Sequence, residues 1–395
     1  MVMRISGAGC CLYDYLYKHI SFNAQSFRDF LSITPGDGGV TPGELVFAEN
    51  LSEYKNSSVE SCIEQITNGQ DPDTVNLGGP ALVSLVHSAQ MLPSEWEIIL
   101  YSCLGDDAES KRLQKDMSGF SLHFHSNIAI GLPVPSTIVL SDPEWNEGSG
   151  ERTFINTLGS AMAFSPDMID DNFFNSDIFV WGGTALVPPL HDSLGTLTRK
   201  ARERNGFNIV GTVYDFRNQA TDPEGPWPLG THEESAYPWI DILITDKEEA
   251  HRLSMTDSVA DAADYFLGQG CGACIITQGN DRIYVKTGSD KFIPINGKKF
   301  PVSQWVNEDL RLHPEKRGDT TGCGDNFMGG IIVSIARQIS KKTSELIDLE
   351  DSIIEGVSAG GFALYQMGGV YTETEQGYKK TRINEIKSHY REQIS

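Results

Sequence analysis

The chain has 395 residues and a formal net charge of −23, from 31 Lys and Arg against 54 Asp and Glu. That length allows one large α/β domain or two ordinary ones, and the charge argues against nucleic acid and anionic membrane surfaces as principal partners. No apolar run is long enough to span a bilayer, the first residues lack a signal-peptide apolar region, and seven scattered cysteines suit a reducing compartment, so a cytoplasmic location is expected.

Taken in order, Arg4–Tyr13 reads as a first strand, broken by Gly7 and Gly9 and ending at Asp14. Residues 21–73 are polar, with Pro35-Gly36-Asp37-Gly38-Gly39 as a loop cluster, and form either an insertion or part of a small covering sheet. Val75–Gly79 leads into Pro80, a favourable first helical residue, and Leu82, Val83, Leu85, Val86, Ala89 and Leu92 follow at helical period. Glu97–Cys103 is a short apolar strand. Gly105-Asp106-Asp107 supplies a turn and an N-cap for a helix carrying Leu113 and Met117. Thr137–Ser141 and Arg152–Asn156 read as two strands around a polar loop, a covering hairpin. Then come strand Asp177–Trp181, helix His191–Arg204, the β-rich run Asn208–Phe216 and a long surface loop, Arg217–Tyr237. Strand Ile240–Thr245 is followed by helices Lys247–Leu253 and Ser258–Leu267 and by strand Ala273–Thr277, with Tyr284 and Val285 as its hairpin partner. Cys271-Gly-Ala-Cys274 has redox spacing, but it enters a strand instead of opening a helix, which reads as buried thiols. Asn326–Gln338 and Ser352–Gln366 are the closing helices.

Strands alternating with helices predict a mostly parallel sheet covered on both faces, with ligands at the carboxyl ends of its strands. Asp14, Gly79, Asp215, Thr245 and Thr277 all follow strand-like segments, consistent with one cleft. The most informative string is Asp319-Thr320-Thr321-Gly322-Cys323-Gly324-Asp325. It opens an apolar helix in which Phe327, Met328, Ile331, Ile332, Ile335 and Ala336 recur at helical spacing. The first amides of such a helix have no internal partners, so Gly322, Cys323 and Gly324 offer an anion cradle. Asp325 at its edge is ill suited to holding phosphate and well suited to taking a proton from an attacking hydroxyl. The plainer reading of the string is a helix N-cap.

This string resembles the C-terminal signature of the ribokinase-like (PfkB) carbohydrate kinases, usually Asp-Thr-x-Gly-Ala-Gly-Asp, with Cys323 in place of the alanine. The resemblance extends over nearly the whole chain. Leu77-Gly78-Gly79-Pro80-Ala81 resembles the Gly-Gly signature that contacts the sugar, and Tyr101–Asp107 the strand and turn after it. Ser136–Asp142 with Gly150-Glu151-Arg152-Thr153 resembles the lid hairpin. Asp246-x-x-Glu249 resembles the Asn-x-x-Glu motif, and Thr277-Gln-Gly279 the Thr-x-Gly segment near the nucleotide. Asp14 falls where the family holds sugar hydroxyls.

The resemblance implies a single domain over 1–395, a three-layer α/β ribokinase-like fold with a mostly parallel central sheet, helices on both faces and a small β-sheet lid. It implies transfer of the ATP γ-phosphoryl group to a hydroxyl of a small sugar, with Asp325 as general base. ATP would lie along Asp246, Thr277, Gly279 and the cradle, flanked by the closing helix near Gly361. The sugar would meet Asp14, Gly78, Gly79 and Arg152, and Mg²⁺ would be held through water by Asp246 and Glu249. Parts of 15–49 and 135–156 would form the lid. Segments 21–73 and 217–237 exceed typical members and are placed to remodel the lid or an oligomer interface, which leaves a homodimer through the lid open.

Two departures stand out. Val83 replaces the asparagine many sugar-specific members carry, and Asp246 replaces an asparagine beside phosphate. The rivals are a nucleoside kinase on the same fold and a catalytically weak sugar-binding regulator, against which the intact Asp325 argues. Taken singly, Gly78-Gly79 is a strand-to-helix turn, Asp246 and Glu249 are a cap and a first-turn acid, Asp14 is a loop residue and Arg152 is half of a surface ion pair. No Gly-x-x-x-x-Gly-Lys-Ser/Thr string is present, and Gly7-Ala-Gly9 lacks the third glycine of a dinucleotide fingerprint.

Overall fold

A computed structural model describes residues 2–34, 36–148, 150–341 and 345–395. Met1, Pro35 of the predicted loop cluster and Ser149 of the hairpin loop lie outside the described residues. The strands are β1 (Arg4–Gly9), β2 (Leu12–Tyr17), β3 (Leu45–Phe47), β4 (Thr74–Gly78), β5 (Glu97–Gly105), β6 (His123–Ala129) and β7 (Ser136–Asp142). They continue as β8 (Glu151–Thr157), β9 (Ile178–Gly182), β10 (Phe207–Gly211), β11 (Ile242–Asp246), β12 (Ala273–Thr277), β13 (Arg282–Thr287) and β14 (Lys298–Pro301). Among the described residues they form a nine-stranded sheet, ordered β14-β13-β12-β11-β10-β9-β1-β5-β6, and a five-stranded sheet, ordered β3-β8-β7-β2-β4. The large sheet is parallel from β12 to β6, and only β13 and β14 run against it.

Helices cover both faces of the large sheet, as the alternation of elements requires. One face carries Pro80–Met91, Cys323–Ser340, Leu349–Ala363 and Tyr378–Ile394, which bury Leu85, Ile331, Ile353 and Ile386 against Ile5, Val180 and Ile275. The other carries Leu194–Glu203, Lys247–Ser254 and Val259–Gly268, which bury Leu197, Leu253 and Phe266 against Trp181, Leu243 and Ile276. No helix of the described residues is long and apolar enough to cross a membrane.

The predicted first strand is two strands in two sheets. β1 lies in the large sheet, the chain turns out at Cys10-Cys11, and β2 enters the small one. Asp14 therefore sits within β2 and does not follow a strand. The glycines of β1 have a packing reason: a Cβ on Gly9 would lie 2.6 Å from the Gly182 carbonyl oxygen and 2.7 Å from Ala81 Cβ.

The small sheet is backed on one face by the polar segment 21–73. That segment contributes β3 and three short helices, Gln25–Arg28, Ala48–Lys55 and Val59–Thr67. Phe22, Phe27, Phe30, Leu51 and Ile66 pack with Ile138, Leu140 and Ile155 of the β7–β8 hairpin. The sheet is thus a sandwich with its own core, one face backed and the other free to meet the large sheet.

Other expectations need correction. The helix His191–Arg204 is two, Pro188–Asp192 and Leu194–Glu203, separated at Ser193. The loop 217–237 is not all surface: Asp215 caps a short helix, Phe216–Thr221, and Trp227 and Leu229 are buried. Edge strands β6 and β14 and helices Gln304–Leu312 and Tyr378–Ile394 carried no clear apolar period. Cys271 and Cys274 are buried free thiols, and burial pushes both up, Cys274 to about 12.

Gly79 starts the Pro80–Met91 helix at φ 102°, where an added Cβ would lie 2.2 Å from the Cys10 carbonyl oxygen. Gly79→Ala combines left-handed strain with a backbone clash. It should cost about 2 kcal/mol or more of stability, read from the urea unfolding midpoint.

Candidate active site

The apolar helix opens where the string places its start. Gly322, at φ 75°, turns the chain into the Cys323–Ser340 helix, and its conformation lets it press against Gly369: a Cβ there would lie 2.3 Å from the Gly369 Cα. Asp325 lies in the first turn, and desolvation pushes its carboxyl up to about 6. Asp319 accepts from the Thr321 amide and from the Thr321 hydroxyl, the latter at 3.1 Å. Arg152 Nη1 donates to the same hydroxyl at 3.2 Å, so strand β8 reaches over the cradle.

Asp14 is buried at the centre of the small sheet, between β4 and β7. Burial, then the charges of Asp325 and Asp319, push its carboxyl up to about 8, against the opposing pull of the Thr137 hydroxyl and Arg152. Gly78 touches it, since a Cβ on Gly78 would lie 2.2 Å from Asp14 Oδ2. The structure thus brings Asp14, Gly78, Gly79, Arg152, Asp325 and Gly322–Gly324 together from four separate parts of the chain.

Two asparagines hold these parts in place, and neither was singled out in the sequence. Asn76 Nδ2, on β4, donates to the carbonyls of Met367 at 2.6 Å and Val370 at 3.0 Å. Asn326, next to Asp325, donates to the carbonyls of Gly322 at 2.9 Å and Gly369 at 2.7 Å. With both amide hydrogens of Asn326 committed, its Oδ1 must accept from His87 Nδ1, 3.1 Å away. Burial keeps His87 well below its ordinary value, hence neutral, so Nδ1 carries the hydrogen. Segment 367–370 is thus clamped by the small sheet, through Asn76, and by the Cys323–Ser340 helix, through Asn326. Val83 is apolar because it packs under this segment: a Cβ on Gly369 would lie 2.7 Å from Val83 Cγ2.

At the ends of β11 and β12, Asp246 and Glu249 form a full capping box. Asp246 Oδ1 accepts from the Glu249 amide at 2.8 Å, and Glu249 Oε2 accepts from the Asp246 amide at 3.2 Å. The plain and the functional readings therefore apply to the same pair. Glu249 Oε2 also accepts from the hydroxyls of Thr212 at 2.5 Å and Thr245 at 3.3 Å. Desolvation, then the charge of Asp246, pushes Glu249 up to about 7, and desolvation raises Asp246. A cavity of about 620 Å³ opens beside them, lined among others by Asp246, Lys247, His251, Thr277, Gly279 and Asp281. Gly361 lies apart from it: an added Cβ would meet Val306, whereas one on Gly360 would lie 3.1 Å from the Cys323 carbonyl oxygen.

Strand register puts Asn76, Asp14, Thr137, Asn156 and Phe47 in one row across the small sheet. Directly paired residues share a face. On β8, Arg152, Phe154 and Asn156 alternate with the core-facing Thr153 and Ile155, so the row faces the cradle that Arg152 touches. At its outer end Phe47 meets Phe216 edge-on at 5.7 Å, and Tyr214 continues the rings at 4.5 Å from Phe216 and 4.7 Å from Trp227. Segment 21–73 thus meets residues 214–216, on whose far side Trp227 of segment 217–237 packs.

A family model described as "pfkB family carbohydrate kinase" matches residues 60–375. An adenosine kinase from Saccharomyces cerevisiae is 21% identical over 356 residues, which cover 85% of this chain and 95% of that protein. The structure of an adenosine kinase from Schistosoma mansoni in complex with 2-fluoroadenosine superposes with a TM-score of 0.68 at 17% identity, covering 93% of this chain and 97% of that one. That of a probable sugar kinase from Rhizobium etli gives 0.67 at 15%, covering 98% and 100%.

The raised Asp14 carboxyl has a consequence for stability. With a folded value near 8 and an unfolded one near 4, the native state binds the extra proton between those limits, so its stability falls as pH rises through them. Asp14→Asn removes that dependence. Its Tm should exceed the wild-type Tm near pH 8, by a margin that shrinks toward about pH 5.

Proposed function

We propose, from the premise that this chain belongs to the pfkB family of carbohydrate kinases and is an ATP-dependent phosphotransferase acting on a sugar or nucleoside, that its acceptor is a nucleoside. The observation that carries this is the ring wall at the end of the polar row. Phe47, Phe154 and Phe216 are each partly exposed, around the Asn156 end of the row and away from Asp14. A base offers a flat face to stack on such rings, and they stand at the far end of the row, beyond the reach of a single pentose held at Asp14. The polar centre of the row then suits the sugar of the nucleoside. The regulator alternative has no place in this reading, since Asp325 is positioned to act.

Each group has a task in it. Asp14, mostly protonated at neutral pH, both donates to and accepts from sugar hydroxyls. Asp325, mostly ionised, takes the proton of the attacking hydroxyl. The Gly322–Gly324 amides and Arg152 face the charge that develops on the transferred group. The donor nucleotide runs along Asp246, Thr277 and Gly279 toward the cradle. Asp246 and Glu249 fit a hydrated Mg²⁺, because two crowded, raised carboxyls carry unmet negative charge and one Glu249 oxygen is already fully engaged. When bound, that cation neutralises phosphate charge while keeping most of its waters. The small sheet, as a lid, keeps bulk water from competing with the acceptor.

Turnover with ATP and adenosine, cytidine, ribose or fructose tests the reading: phosphorylation of the sugars alone would refute it. Asp325→Asn should slow turnover by on the order of 10²–10⁴-fold while ATP affinity changes little. In the wild type, kcat/KM should rise through about pH 6 as Asp325 ionises and fall above about 8 as Asp14 loses its proton. The lower limb should vanish in Asp325→Asn. Glu249→Gln should raise the magnesium concentration needed for half-maximal rate, measured by titration at fixed ATP.

A further inference from the structure

We propose that Asn156 reads the base of the acceptor, taking a hydrogen bond from an exocyclic amino group, so that amino-bearing bases are preferred. The inference rests on the nucleoside reading above and assigns a residue to its specificity.

Asn156 is 5% exposed, and its Oδ1 is buried with no hydrogen-bond partner in the protein. Buried side-chain oxygens are rarely left so, because the loss of water is uncompensated. Its neighbours explain why no protein group satisfies it. It lies on the cleft face of β8, paired with Thr137 on one side and Phe47 on the other. Phe154 precedes it by two residues on the same face. An amide oxygen framed by two rings is poor packing for a core and good chemistry for a flat heterocycle with an N–H on its rim.

The spacing fixes which part of an acceptor it meets. Asp14 is on β2, Thr137 on β7 and Asn156 on β8, directly in register. Two inter-strand steps separate Asp14 from Asn156, about 10 Å. A pentose held at Asp14 does not reach across that gap. A nucleoside does, with its sugar at Asp14 beside Asp325 and its base between Phe47 and Phe154 at Asn156. Oδ1 can only accept, so it selects a donor, and the exocyclic amino group of adenine or cytosine is such a donor on a base rim.

The test compares adenosine with purine riboside, which has the same shape without the amino group, in wild type and Asn156→Leu. The wild type should favour adenosine by roughly 10-fold or more in kcat/KM. Asn156→Leu should bring the ratio toward one, mostly by raising the KM for adenosine, with the KM for ATP unchanged. Its Tm should equal or exceed that of the wild type, because an unpaired buried oxygen has been replaced by a methyl. A merely structural asparagine predicts the opposite pair of results, a lower Tm and an unchanged ratio, and either would overturn the inference. So would a wild type that phosphorylates nucleosides without distinguishing these two. If ribose or fructose is phosphorylated and no nucleoside is, the nucleoside reading falls and this inference with it.

Discussion

Three carboxylates crowd one helix start, and the rest of the structure works to keep them there. Asp14 is buried, and Asp319 and Asp325 are half-buried, around the first turn of the Cys323–Ser340 helix. Like charges at such range repel, and neither sheet alone supplies enough positive charge to hold them. The answer is shared. The helix offers its free amides, β8 brings Arg152, and Thr137 leans a hydroxyl toward Asp14. Each group comes from a different segment, so the cluster is only as good as the fit of the small sheet to the large one. Asn76 and Asn326 set that fit by gripping segment 367–370 from opposite sides. Burial raises the Asp14 and Asp325 carboxyls, and for Asp14 the charges of Asp325 and Asp319 add to it.

Much of this was legible in the sequence, and the reasons differ from one element to another. Ala273–Thr277 reads as a strand because a short β-branched run is bounded by glycines, and it is one. Asp107 and Ser258 cap the helices their spacing announces. The family's motif order correctly gave the fold, and the local strings gave both the glycine turn that opens the Cys323–Ser340 helix and the cap at Asp246. These signals are all contained within a few consecutive residues.

The unread parts depend on partners far away in the chain. Nothing between Gly9 and Leu12 marks a change of sheet, because Cys10 and Cys11 are as apolar as the strands on either side. Phe22, Phe27, Phe30, Leu51 and Ile66 look scattered in a polar segment until the β7–β8 hairpin supplies Ile138, Leu140 and Ile155 beneath them. Asn76 and Asn156 owe their positions to cross-strand register, which has no local signature. The last helix, Tyr378–Ile394, buries Ile383, Ile386 and Tyr390, but its lysines and arginines hide that stripe.

The backing of the small sheet by its own helices has a mechanical consequence. A sheet with a core on one face resists bending, so its motion relative to the large sheet must be taken up where the chain passes between them. Those passages are Cys10-Cys11, Gly79, the stretch from Ile130 to Pro135, and Leu158-Gly159. Gly79, Gly131 and Gly159 have positive φ, while Pro133 and Pro135 stiffen their stretch. The passages are also bound to one another: Ser160 donates to the Pro133 carbonyl at 2.9 Å, and Tyr13 to that of Pro135 at 3.2 Å. They therefore act as a common axle. A rocking of the small sheet on the large one would then turn on a few backbone torsions, and one of them, at Gly79, adjoins the Asp14 carboxyl through Gly78.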